Sequence, residues 1–134
     1  MAGAQCPKYL WALFNAPSRI PDAGQARQFV FEQGHEVGEV AKKLFPDGVD
    51  IPTDDFEQNL RLTKAALDKR CAIFEAGFLS DDLFARVDIL CPASGNGWEL
   101  IEVKSSTAVK DEHIQDVAFQ RYVCERAGIK IERC

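Results

Sequence analysis

The chain has no excess of basic charge, no cysteine pair at metal-binding spacing and no apolar run long enough to span a bilayer. Its 16 basic residues are set against 21 acidic ones, a formal charge of -5. That balance removes the plainest electrostatic signature of a nucleic-acid binder, so any polyanionic partner must meet a local basic patch or a bound cation. Five widely spaced cysteines, Cys6, Cys71, Cys91, Cys124 and Cys134, contain no CxxC pair. This argues against a disulfide framework and against structural zinc, and fits reduced thiols. Cys6, Cys71 and Cys91 are then expected as buried small hydrophobes, and Trp11 and Trp98 as core residues. The opening residues lack the basic and long apolar regions of a secretory signal. Together these absences point to a soluble, cytoplasmic protein with no membrane partner.

What is present is an ordinary globular composition, 46% hydrophobic and 28% charged over 134 residues. That is enough for one domain over residues 1–134. The last residues, "GIKIERC", read as a strand stopping in mid-run, so the domain is expected to be a fragment of a longer protein.

After the loop "PSRIPD", residues 23–45 carry Val30, Val37, Val40, Ala41 and Leu44 at helical spacing. A second helix begins at Asp54, with Glu57 three residues later. From Cys71 the period changes to that of strands. "CAIFEAGFL", "LFARVDILC" and "WELIEVKSS" are short runs rich in aromatic and β-branched residues, separated by turn signals, as in an antiparallel meander. "VKDEHIQDVAFQRYVCERAG" reads as a helix ending at Gly128, and a final strand follows. The order predicts an α/β fold.

The third strand run ends in Glu102 and Lys104, which share a face. If the hairpin turns through Ala93 to Gly97, Pro92 faces Trp98, and counting back sets Asp88 opposite Glu102. Like charges directly across a ladder destabilise a sheet. A hard divalent cation shared by both carboxylates, Mg²⁺ or Mn²⁺, converts that repulsion into a binding site. Beside it, Lys104 is placed to orient a water or to neutralise charge on a phosphate, which suits phosphodiester hydrolysis. Taken singly, Asp88, Glu102 and Lys104 could equally form an ion pair at a strand end.

"RVDIL" followed by "WELIEVKSS", an Asp-x13-Glu-x-Lys arrangement, resembles the PD-(D/E)xK nuclease superfamily. The helix "DEHIQDVAFQRYVCERAGI" is similar to the segment after the lysine in its RecB-like branch. With "CPKYLW", "QGHEVGEVAKKLFP" and "FEAGF", the chain as a whole resembles an uncharacterised bacterial family of RecB-like nucleases. The resemblance implies a restriction-endonuclease-like core, a mixed sheet of about four strands flanked by helices on both faces. It also implies Asp88, Glu102 and Lys104 as the catalytic set, with the Val103 carbonyl as a further metal ligand. The first helix of such nucleases offers a ligand after a glycine. Gly34 is followed here by His35, the favoured candidate, with Glu39 as competitor.

For substrate contacts, Arg86 lies two residues before Asp88 and is placed to pair with a carboxylate or meet a phosphate. Gln115, Gln120 and Tyr122 are candidates on the last helix, although the family's Gln-x-x-x-Tyr becomes Gln115 and Phe119 here. Glu75, in "FEAGF", reads either as a partner that supports the site residues or, the favoured reading, as the outward residue of a half-buried strand. Cys6 resembles the early ligand of an iron–sulfur cluster found in related nucleases, but only Cys124 and Cys134 follow the lysine, so no cluster is expected. The expected function is metal-dependent DNA hydrolysis in repair, recombination or defence. The alternative is a catalytically inactive nuclease-fold domain that binds nucleic acid or acts as a scaffold within a larger protein. A nuclease that needs residues beyond Cys134 is a third expectation.

Overall fold

Local sequence fixes the helix ends. Pro7 occupies the first turn of α1 (Pro7–Asn15), where its missing N–H costs nothing. Asp55, one residue later than the expected cap, accepts the Gln58 N–H at 2.8 Å and starts α3 (Phe56–Leu67). The long α2 (Gln25–Lys42) lies between them. The last helix, α4 (Asp111–Arg126), closes in a Schellman motif: Gly128, at φ 87°, donates to the Glu125 carbonyl, and Ile129 donates to that of Cys124. Gly128 is thus the C′ residue that the sequence predicts.

A computed structural model describes residues 6–20 and 24–134. Its sheet has five strands in chain order: β1 (Val49–Asp50), β2 (Ile73–Ser80), β3 (Leu83–Pro92), β4 (Trp98–Ile101) and β5 (Ile131–Arg133). The β2, β3 and β4 strands form the antiparallel meander, while β1 and β5 add at the two edges in parallel. The fold is therefore α/β with a mixed sheet, one strand larger than expected, because a two-residue strand carries no readable alternation.

Two clusters of buried side chains lie on the sheet. One joins Ile73, Ala76, Val87, Leu90 and Leu100 to Leu62 and Ala66 of α3 and to Val117, Phe119 and Val123 of α4. The other joins Phe74, Ile89, Cys91 and Ile101 to Ala41, near the end of α2, and to Phe45. Helices α3 and α4 therefore cover one face, and the end of α2 meets the other.

Two core expectations fail, for one reason: α1 buries no residue against the sheet. Trp11 is 55% exposed, and Cys6, just before α1, is exposed as well. Cys71 is half-buried, while Cys91 and Trp98 are buried as expected. The first helix spans Gln25–Lys42 rather than 23–45, with Ala23 outside the described residues. Among the described residues, no helix is long and apolar enough to cross a membrane.

Candidate functional site

The β3–β4 hairpin sets the geometry. Its loop closes with Ala93 donating to the Gly97 carbonyl at 3.1 Å, and Pro92 pairs with Trp98, as the loop count predicts. Arg70 braces this loop by donating to the carbonyls of Gly95, Asn96 and Gly97 while its guanidinium stacks on Trp98 at 4.7 Å. The ladder runs to Ile89 opposite Ile101 and stops there. One further step of the same register brings Asp88 to Glu102. The Val103 N–H does not continue the ladder; it donates to Asp88 Oδ2 at 2.8 Å.

Glu102 is nearly enclosed, its side chain 8% exposed. Both of its oxygens are engaged: Oε1 meets Lys104 Nζ at 2.6 Å, and Oε2 accepts from Gln120 Nε2 at 2.7 Å. Lys104 Nζ also lies 3.5 Å from Asp116 Oδ2 on α4. Burial works against the Lys104 charge, but the bond to Glu102 and the nearby charges of Glu102, Asp116 and Asp88 outweigh it and raise its pKa.

Asp88 is different. Burial pushes its carboxyl up to about 6, the Val103 N–H opposes this, and the carboxylates of Glu102 and Glu75 add to the rise. The hairpin therefore carries one carboxylate already paired with a lysine and one whose charge burial disfavours. Beside them a groove of about 940 Å³ runs past the end of β4 toward α4, lined in part by Glu102, Lys104, His113, Ile114 and Val117.

The other expected site residues fall into place unevenly. Gln120, buried in α4, reaches Glu102 rather than open solvent, and its Oε1 has no partner among the described residues. Asp116, four residues before Gln120, shares its helix face; reading α4 at that spacing back from Gln120 could have found it. Gln115 is exposed, and Tyr122 is half-exposed with the Arg126 guanidinium 5.8 Å from its ring. Neither shares a bond with the carboxylates. Arg86 Nε meets Glu75 Oε2 at 3.2 Å.

On α2, a methyl added at Gly34 would come within 3.9 Å of Ser105 Oγ, so this helix passes beside the turn that follows Lys104. His35 is exposed there. Glu39 is engaged elsewhere: the bond to Lys42 at 3.0 Å lowers its pKa, and Lys42 also holds Asp50 at 2.8 Å. Among the described residues, no three His, Cys, Asp or Glu side chains are gathered to hold a metal. The expected trio of His35, Asp88 and Glu102 is thus not brought together as a set. Sequence reasoning undervalued Glu75: Phe74 faces Ile89 and Ala76 faces Val87, so Glu75 stands across from Asp88. Comparison with known protein families, with curated proteins and with solved structures finds no match for this chain.

Proposed function

We propose that this chain is a nuclease domain of the PD-(D/E)xK type, RecB-like branch, that hydrolyses DNA phosphodiesters with Mg²⁺ or Mn²⁺. The single observation that carries the reading is the meeting of Asp88, Glu102 and Lys104 where the β3–β4 ladder ends. The mixed sheet with helices on both faces is consistent with a restriction-endonuclease-like core.

The residues present fit such a cation. A desolvated carboxyl raised to about 6 beside two further carboxylates is what a bound cation relieves. Two carboxylates suffice for Mg²⁺, which keeps several waters and takes its remaining ligands from substrate phosphate. Asp88 and Glu102 would hold the ion, with the Val103 carbonyl next in line. His35, on the helix that passes Ser105, is the further candidate.

When bound, the ion supplies electrophilic polarisation of the phosphoryl group and a more acidic water. Lys104, kept protonated by its carboxylate neighbours, orients the attacking water and offsets charge building on the phosphate. The water oxygen bonds to phosphorus as the bond to the departing deoxyribose oxygen breaks. The water's proton leaves to solvent, and the departing oxygen takes one up. Gln120 fixes Glu102 from α4. The substrate is DNA, and the setting is cytoplasmic repair, recombination or defence.

To test this, linear duplex and single-stranded DNA are incubated with purified protein and Mn²⁺, alongside Lys104→Ala. Loss of a group that stabilises transition-state charge costs about 10²–10³-fold in rate, and equal cutting by both proteins removes the assignment. One observation favours the second reading, an inactive nuclease-fold domain: Glu102 has both oxygens already occupied within the protein. Calorimetric titration separates the two, because an inactive scaffold shows no Mn²⁺ binding that depends on Asp88.

A further inference from the structure

Glu75 stands in the middle of β2 with φ 58°, the left-handed region that an L side chain enters at a steric cost. The side-chain alternation inverts there. Ile73 belongs to the cluster beneath α3 and α4, but beyond Glu75 it is Ala76 and Phe78 that join that cluster, while Phe74 belongs to the opposite one. Unbroken alternation from Ile73 would have carried Glu75 into the core. Instead its side chain is 31% exposed and points to Arg86.

This kink is held from α3. Asn59, only 2% exposed, donates to the carbonyls of Glu75 at 3.0 Å and Pro52 at 3.1 Å. Thr63 Oγ1 accepts the Gly77 N–H at 3.0 Å. Gly77 is required because any Cβ there would collide with Asn59 Oδ1. Two buried polar side chains and a strained backbone are a large outlay for an exposed Glu–Arg pair, since such pairs contribute little stability by themselves. Strain maintained in this way is characteristic of functional positions.

The kink delivers a defined arrangement. Glu75 stands across from Asp88 and pairs with Arg86, two residues before Asp88, at Nε; among the described residues Arg86 makes no other ion pair. A guanidinium fixed at Nε presents its remaining fork to a bidentate anion such as a phosphodiester. Resting on the nuclease reading, we infer that Glu75 is a positioning residue that holds Arg86 beside Asp88 as the anchor for the nucleic-acid phosphate.

The test measures oligonucleotide affinity by fluorescence anisotropy in Ca²⁺, with KM and kcat in Mn²⁺, for wild type, Glu75→Gln, Arg86→Ala, their double variant and Glu75→Gly. Glu75→Gln and Arg86→Ala are each expected to weaken binding and raise KM about tenfold, with kcat changed by less than about threefold. The double variant should lose no more than either single one, because both act through one guanidinium. Glycine takes the left-handed conformation freely, so Glu75→Gly should melt no lower than wild type and still show the weakened binding. A purely structural Glu75 does not give that combination. Wild-type affinity in Glu75→Gln, or losses that add in full, overturns the inference. Normal anchoring of DNA that is never cut would sink the nuclease reading and leave this one standing, whereas wild-type protein that binds no oligonucleotide overturns both.

Discussion

Replacing Asp88 by asparagine should make the metal-free protein more stable at neutral pH, although it removes a residue placed at the centre of the site. The folded state raises this carboxyl from 3.8 to about 6, chiefly by burial. At about 1.4 kcal/mol per pKa unit, ionised Asp88 costs the fold about 2 to 3 kcal/mol, the lower figure allowing for its residual solvent contact. The sign follows from proton binding. Between pH about 4 and about 6 the folded protein holds a proton on Asp88 and the unfolded chain does not. That contribution is whole below the unfolded value, is lost as pH rises through about 6, and stays lost above it. Asp88→Asn has no such proton to lose, and its amide oxygen still accepts the Val103 N–H.

The assay is urea unfolding of both proteins in EDTA from pH 4 to 8. Carboxylates held low by other partners, such as Glu39 and Glu99, change equally in both proteins and cancel in the difference. The variant should gain about 2 to 3 kcal/mol at pH 8, about 6 °C or more in melting temperature for a chain of this size, and nothing at pH 4. Added Mn²⁺ should reverse the order by stabilising wild type alone. A variant no more stable than wild type at pH 8, or a gain that persists at pH 4, refutes the reasoning.

Arg70→Ala removes the brace on the hairpin loop together with the stack on Trp98; a loss of about 2 kcal/mol in urea unfolding is expected, with faster amide exchange across residues 93–97. Arg70→Lys should recover little of it, because an ammonium cannot reach three carbonyls as a planar fork does. Thiol labelling of the native protein at pH 8 should modify Cys6 and Cys134 first, both being exposed. Cys124, pushed up to about 12 by burial, and Cys91, also raised by burial, should react only after denaturation.

The hairpin was legible because loop length and strand parity leave little freedom. Once Ala93 to Gly97 form the turn, Pro92 must meet Trp98, and Asp88 follows toward Glu102. Helix faces were harder to read. Spacing leaves Gln115, Gln120 and Tyr122 as equal candidates, but the face of α4 is decided by Val123 and Cys124 seeking the core, which turns Gln120 and Asp116 toward Glu102 and Lys104. Charges surround α2, so nothing local tells which way His35 points. The kink at Glu75 was not legible, since a left-handed glutamate inside a strand depends on Asn59 and Thr63, side chains from a distant helix.

The two carboxylates differ in what already neutralises them, and this sets opposite consequences for one substitution. Lys104 competes for Glu102 through a 2.6 Å ion pair in a nearly enclosed position, whereas at Asp88 the nearest bonded donor is a neutral backbone N–H. A divalent cation binding both must displace Lys104 from Glu102, and the displaced ammonium is then available to a substrate along the groove it lines. Lys104→Ala should therefore tighten Mn²⁺ binding, by about tenfold for a charge-assisted contact removed at the competing site, while it slows the proposed cleavage by about 10²–10³-fold. Calorimetry on the variant decides: unchanged or weaker Mn²⁺ affinity would mean that Glu102 belongs to the lysine alone and takes no part in holding the ion.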